Sequence, residues 1–337
     1  MDIRRKNNSP RLGRSAVSIS LLADSARSGR REVLLDGRLE VVSWKGVTPA
    51  DRLLIEAADG TPGMRILAAM TPSALAALAL RLLRPGAAVA YFHLDLFNVR
   101  GAQNLLRRHD ADDVQTFCEP GLPNGGDAAP DLILMNLRAD NEVGLFCEIL
   151  HQAHRRLVKG GKLLAAINNA HDIWLANQLE KTFGNLSRVG KDKRAIVYSV
   201  KKKETNRPDD ATAALAREHY LQSVEVQSRG ETVRFETCYG TFSSHKLDDG
   251  SRALLATLEP PDPCRAILDL GCGWGALGIL ATRATAADKL LMIDANARAV
   301  EMARRNLSRL GPVGGEARLE ANAESFLGEG DAGAFDM

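Results

Sequence analysis

The sequence predicts an α/β protein of two tandem domains, each a parallel sheet covered by helices, the second incomplete. Three observations predict it. At 337 residues the chain is too long for one typical core. Short apolar runs alternate with helical runs, the order that builds a parallel sheet covered on both faces. The succession of runs near the C-terminus also repeats one near the N-terminus, with matched order and spacing, as a duplication would.

The later copy starts at Ile267 with ILDLGCGWGALGILA, a short apolar strand, a glycine-rich turn and a helix start. Leu290–Asp294 reads as a second strand ending in an acid, Ala297–Leu310 as a helix and Ala317–Glu320 as a third strand. Phe335-Asp336-Met337 begins a fourth. The earlier copy has a strand at Ile66–Ala69, a helix at Ser73–Leu83, a strand at Val89–Asp95, a run Gln103–Arg108 that echoes Ala303–Leu307, and a strand at Asp131–Asn136. It continues through a helix at His151–Val158, a turn at Lys159-Gly160-Gly161, a strand at Lys162–Ile167, a helix near Ile173–Phe183 and a strand at Ala195–Val200. The polar stretch Lys201–Asp210, with Pro208, reads as a linker. Val224–Gln227 and Thr232–Thr237 flank Ser228-Arg229-Gly230-Glu231 as a hairpin. The expected divisions are an arm at 1–34, a first domain at 35–203, a linker at 204–222 and a second domain at 223–337.

Composition is that of an ordinary globular protein, 45% hydrophobic and 26% charged. No apolar run approaches the roughly 20 residues of a membrane-spanning helix. The five cysteines are odd in number and lack CxxC spacing, so neither a disulfide framework nor a zinc site is expected, and a reducing cytoplasm is. A monomer is expected. The net charge of +2 conceals an asymmetry: residues 1–31 hold eight Arg or Lys against Asp2 and Asp24, whereas residues 262–337 carry eleven acids and eight bases. The basic start reads as a disordered arm, with an organelle transit peptide as the other reading.

Asp269-Leu270-Gly271-Cys272-Gly273-Trp274-Gly275 is the strongest motif. Glycines let a backbone turn sharply after a strand and approach a ligand without Cβ collisions. The helix that follows aims its amide groups and positive dipole end at the same place. Asp294, at the end of the next strand, stands where an acid would take ribose hydroxyls. Gly271-x-Gly273-x-x-Ala276 also satisfies the dinucleotide fingerprint, so an NAD(P)-binding fold is the rival. Asp269, two residues before the first glycine, favours the DxGxGxG form that holds S-adenosylmethionine.

Gly240-Thr241-Phe242-Ser243, then Leu247-Asp248-Asp249-Gly250-Ser251-Arg252-Ala253-Leu254-Leu255, then ILDLGCGWG, resembles the duplicated-domain rRNA guanine-N2 methyltransferases, of the small-subunit methyltransferase C and large-subunit methyltransferase G type. The likeness is close over about residues 230–337 and mainly architectural before that. It implies two Rossmann-like class I methyltransferase domains, S-adenosylmethionine as cofactor and ribosomal RNA as partner. It also implies roles: Asp269, Gly271, Gly273 and Gly275 form the loop, and Asp294 holds the ribose. Asn322 and Ala323 lie beside the adenine, and Phe242, Ser243, Gly250 and Ser251 line the methionine side. Plainer readings stand beside three of these, with Phe242 as a packing residue, Ser251 as a helix cap and Asn322 as a turn residue.

Aligning Ile66 with Ile267 puts Ala68 at Asp269, Met70 at Gly271, Pro72 at Gly273 and Ala74 at Gly275. A bulky side chain and a proline without an N–H make the first copy silent, although Asp95 keeps the ribose position. The resemblance gives such a first domain a part in holding RNA. Arg188, Lys191, Lys193, Arg194, Lys201, Lys202 and Lys203 fit that role, and fit a solvated surface as well.

The implied reaction is displacement, guanine N2 attacking the sulfonium methyl. In the family an Asn-Pro-Pro-Phe motif at the end of the fourth strand positions the amine and stacks on the base, which must be unstacked to reach it. That strand would read on from Phe335-Asp336-Met337, so no catalytic residue falls within the chain and the 337 residues alone are expected to be inactive. A noncatalytic RNA-binding pseudoenzyme is the third reading.

Overall fold

The computed structural model describes residues 48–58, 61–72, 74–123, 129–137, 143–203, 217–259, 263–321 and 333–337, with the backbone of three strands between residues 19 and 43. There are two compact units, Met1–Val47 and Thr48–Met337. In the first, β1 (Ile19–Leu21), β2 (Arg31–Leu35) and β3 (Leu39–Ser43) form an antiparallel sheet in that order. No regular structure is expected from the sequence before residue 35, and the difference has a simple cause. Ile19-Ser20-Leu21 is too short to mark a strand among so many arginines; cross-strand pairing supplies what periodicity does not.

The second unit opens with α1 (Pro49–Ala57), which the apolar pattern alone does not mark. Its signal is a capping box: the Asp51 N–H donates to the Thr48 hydroxyl at 3.1 Å, and the Thr48 N–H donates to the Asp51 carboxylate at 3.2 Å. The first copy then runs β4 (Arg65–Ala69), α2 (Leu75–Leu83), β5 (Ala88–His93), α3 (Leu96–Arg107), β6 (Gln115–Cys118), β7 (Leu132–Leu137), α4 (Val143–Arg156), β8 (Lys162–Ile167), α5 (Trp174–Phe183), β9 (Ser187–Lys191) and β10 (Ile196–Lys201). The sheet order is β6-β5-β4-β7-β8-β10-β9. Strands β4 to β8 are parallel, whereas β10 runs antiparallel to both neighbours, so the sheet is mixed rather than purely parallel. Strand β9 has no apolar alternation; it exists because β10 offers it an edge.

The second copy enters through a 3-10 turn, Arg217–Tyr220, into the hairpin β11 (Leu221–Ser228) and β12 (Glu231–Cys238). Arg229 and Gly230 both take positive φ, as a two-residue turn matched to strand twist requires. Then follow α6 (Asp249–Ala256), β13 (Ala266–Leu270), α7 (Ala276–Thr285), β14 (Lys289–Asp294), α8 (Ala297–Leu310) and β15 (Gly314–Leu319), with the parallel order β13-β14-β15. On the other edge of β13, the Leu268 N–H donates to the Met337 carbonyl at 2.8 Å and the Asp336 N–H to the Ala266 carbonyl at 2.9 Å.

Strand registers support the duplication residue by residue. Ile66 pairs Val89 as Ile267 pairs Leu290, and His93 pairs Cys118 as Asp294 pairs Leu319, all at one constant displacement along the chain. The start of the fourth strand repeats too: Asp131 accepts from the Arg65 N–H at 2.9 Å, and Asp336 from the Ala266 N–H at 2.9 Å. The two copies also touch through equivalent residues. Asp95 bridges Asn296, the Leu96 N–H donates to the Ala295 carbonyl, and the Ala297 N–H donates to the Leu94 carbonyl, each at 2.8 Å. Such reciprocity is what two subunits show across a two-fold interface. Among the described residues, no helix is long and apolar enough to cross a membrane.

Candidate functional site

The loop between β13 and α7 is a chain of left-handed turns. Gly271, Gly273 and Gly275 have φ of 73°, 55° and 86°, a region costly for any residue with a Cβ. The Gly271 and Cys272 N–H groups both donate to the Ile293 carbonyl, at 2.8 and 3.0 Å, folding the loop over the end of β14. A Cβ on Gly271 or Gly273 would meet nothing within 4 Å, so the outer side of the loop is open to a ligand. Gly275 differs, because its Cβ would stand 3.1 Å from Met292 Sδ and 3.3 Å from Ala303 Cα. It lets α7 pack close to β14 and α8. Gly275→Ala should therefore cost about 1–3 kcal/mol, from left-handed strain plus overpacking, read as a lower urea midpoint at unchanged slope. An unchanged midpoint would mean that α7 shifts freely.

Asp294 closes the loop. Its Oδ2 accepts from the Gly273 N–H at 2.9 Å and its Oδ1 from the Asn296 N–H at 2.8 Å. A carboxylate has about four acceptor sites, so both oxygens keep capacity for hydroxyl donors. Asp269 is buried, and its Oδ2 accepts from the Gly278 N–H in the first turn of α7 at 2.9 Å. Burial chiefly, with Asp294 adding to it, pushes the Asp269 carboxyl up to about 6. Burial likewise pushes the Cys272 thiol up, so the cysteine within the loop stays a neutral filler.

The segments expected on the methionine side are built differently. Gly240 has φ 86° and accepts at its carbonyl from Asn296 Nδ2 at 2.7 Å, which ties it to the Asp294 turn. Phe242 is 77% exposed and so is not a packing residue here. Ser243, at φ 52°, spends its hydroxyl on the Lys246 carbonyl at 2.8 Å. Gly250 and Ser251 lie in the first turn of α6, which packs against α7. The cap of that helix is Asp248, whose carboxylate accepts from the Ser251 N–H at 3.0 Å, so Ser251 is not the cap. Asn322 and Ala323 lie outside the described residues.

The first copy repeats the loop's backbone without its chemistry. Met70 takes φ 56°, and its N–H donates to the Phe92 carbonyl at 3.0 Å, as Gly271 does to Ile293. Pro72 has no N–H to match that of Gly273. Asp95 does not keep the ribose position. By register His93 matches Asp294, and its Nδ1 accepts from the Asp95 N–H at 3.0 Å as Asp294 accepts from Asn296. Asp95 is the cap of α3, as Asn296 is of α8.

Two of the seven basic residues expected to meet RNA are engaged within the fold. Lys202 Nζ donates to the carbonyls of Arg155 and Leu157 at the end of α4, and Lys203 Nζ to that of Gly184 at the end of α5. Burial lowers the Lys202 ammonium from its ordinary value. Arg188, Lys191, Lys193 and Arg194 are exposed on and beside the edge strand β9, where charge also keeps an edge from pairing.

The least legible part of the site is Arg298. A cation in the first turn of a helix opposes the dipole, and here it has a buried partner. Arg298 Nη1 donates to Glu148 Oε2 and to the Tyr239 carbonyl, each at 2.7 Å. Nη2 stands 2.6 Å from Glu148 Oε1 as an ionic contact, without the angle of a hydrogen bond. Both side chains are almost wholly buried, at 0% and 1% exposed.

The model of the methyltransferase small domain matches residues 34–199 and again 232–336. The chain belongs to the methyltransferase small domain family. Two matches on one chain accord with two copies of one fold. This small domain protein is 26% identical over 190 residues to ribosomal RNA small subunit methyltransferase C of Actinobacillus pleuropneumoniae, covering 50% of this chain and 54% of that one. It is 28% identical over 212 residues to ribosomal RNA large subunit methyltransferase G of Vibrio atlanticus, covering 62% and 51%. The chain thus spans about half the length of these curated relatives. Its fold is that of the Thermus thermophilus 16S rRNA N2 G1207 methyltransferase, solved in complex with AdoMet and guanosine, at a TM-score of 0.67, 20% identity and coverage of 93% of this chain and 77% of that one.

Proposed function

We propose that the whole protein is a cytoplasmic, S-adenosylmethionine-dependent methyltransferase acting on guanine N2 of ribosomal RNA, with the cofactor held by the second copy. One observation carries this reading: the left-handed Gly271 and Gly273 leave an open loop face beside Asp294, with a second carboxylate, Asp269, beneath it. The residues fit the group. Asp294 has spare acceptor capacity for ribose hydroxyls, and two nearby carboxylates suit a cofactor that carries an ammonium and a sulfonium. Bound there, the cofactor supplies an electrophilic methyl. The names of the relatives support RNA as the class of substrate, and the guanosine in the Thermus structure supports the base.

Transfer needs a group at the end of the fourth strand to hold the guanine amine. In the first copy that place belongs to Asn136, whose amide donates to Asp51 at 2.7 Å and to Thr48 at 3.1 Å, so it is occupied by its own fold. In the second copy Asp336 opens the matching strand, its carboxylate accepting from the Ala266 N–H at 2.9 Å. Calorimetry tests the cofactor reading. The chain should bind S-adenosylhomocysteine, and Asp294→Ala should weaken it roughly ten- to hundredfold, the worth of hydrogen bonds to a charged acceptor. Binding of NADH in its place would sink the proposal.

A further inference from the structure

The Glu148–Arg298 pair joins the two copies at a telling place. Glu148 belongs to α4 of the silent copy, and Arg298 to the first turn of α8, four residues past Asp294. Arg298 reaches the Tyr239 carbonyl, immediately before Gly240. A Cβ on Gly240 would stand 3.0 Å from Arg298 Cδ, so that turn lies against the arginine stem. Asn296, which caps the Arg298 N–H at 2.9 Å, holds the Gly240 carbonyl from the other side. On the α4 side, Gln152 Nε2 fixes Glu148 Oε1 at 2.8 Å, and the Leu122 N–H fixes Gln152 Oε1 at 2.7 Å. One turn of α4 away, Gly144 leaves room for the Tyr239 ring, which a Cβ there would overlap at 2.3 Å.

We infer that α4 of the silent copy positions the cofactor site of the other, with Glu148 acting through Arg298 to hold the Tyr239–Ser243 turn against the Asp294 turn. The turn at Gly240–Ser243 is exposed at Phe242 and carries two positive-φ residues, so it needs an anchor to keep one conformation. A charged, doubly anchored guanidinium supplies that anchor, and its charge balance comes wholly from the first copy. Glu148 is thus a positioning residue for the methionine end of the ligand. A chain that lost cofactor binding in its first copy has kept that copy as a brace.

The inference rests on the cofactor reading, and its test separates the two. S-adenosylhomocysteine and adenosine are titrated by calorimetry into the wild-type chain, into Arg298→Lys, and into a double variant, Glu148→Met with Arg298→Met. The double variant removes both charges together, and Arg298→Lys keeps a charge beside Glu148 without the span to Tyr239, so near-UV circular dichroism should show both folded. Affinity for S-adenosylhomocysteine should fall at least about tenfold in both, what one well-made hydrogen bond contributes, while adenosine affinity changes little. General loosening of the fold would weaken both ligands alike, and that result would overturn the inference. So would wild-type affinity in either variant. No binding by the wild-type chain would overturn the cofactor reading and this inference with it.

Discussion

Glu148→Leu is expected to destabilise the second unit by about 3–5 kcal/mol, the usual consequence of leaving one partner of a buried ion pair alone. The converse change, Arg298→Leu, should cost less. An unpaired buried carboxylate escapes part of its desolvation cost by taking up a proton, whereas a guanidinium does not lose one in a protein. Gln152 also remains beside Glu148 to share a hydrogen bond, while Arg298 Nε has no acceptor even in the intact pair. The double replacement should fall nearer to wild type than either single one, because apolar residues of similar volume need no compensation. Denaturant unfolding of the four proteins gives the coupling directly. Additive losses would show that the two side chains do not act as a pair, and a larger loss from Arg298→Leu would show that the charge argument runs the wrong way.

The pair also marks where sequence reading stops. The glycine loop was legible because its parts are consecutive: strand, Asp269, three glycines and helix lie within one short stretch, and each glycine has a local reason for being there. Asp294 was legible because an acid closing the next strand is a spacing argument. Asp95 shows the limit of that argument. An acid near a strand end reads the same whether it closes the strand or caps the following helix, and only the pairing of His93 with Cys118 and of Asp294 with Leu319 tells them apart. Ser251 and Asp248 pose the same ambiguity at a helix start, where both residue types cap well. Lys202 and Lys203 read as a basic run but sit at the ends of two helices whose carbonyls they satisfy. Glu148 and Arg298 are 150 residues apart in sequence, so no local pattern joins them. The one available hint was a cation at the wrong end of the α8 dipole.

Asp269→Asn should make the protein more stable at neutral pH and leave it little changed in acid. Burial, which disfavours the charged form, is the chief cause that raises the Asp269 carboxyl from an ordinary 3.8 to about 6 in the fold. Between those two values the folded state binds more protons than the unfolded state, so stability falls as pH rises from about 4 to about 6, then levels. The full difference corresponds to roughly 3 kcal/mol at 1.36 kcal/mol per unit. Asparagine cannot ionise, and its carbonyl oxygen can still accept from the Gly278 N–H, so the variant should lack this slope. Its amide NH₂ must be buried as well, which trims the gain to about 1–3 kcal/mol at pH 8. Denaturant midpoints from pH 4.5 to 8 decide the matter, and parallel curves for the two proteins would show that Asp269 ionises without penalty. On the proposed function, the gain in stability should come with a loss in binding. Above pH 6 Asp269 and Asp294 together present two negative charges to a cationic ligand, and removing one weakens that attraction while relieving the fold. A carboxylate held at the expense of stability is what a site for a cationic cofactor would keep. The variant should therefore lose more affinity for S-adenosylmethionine, with its sulfonium, than for S-adenosylhomocysteine, which has none.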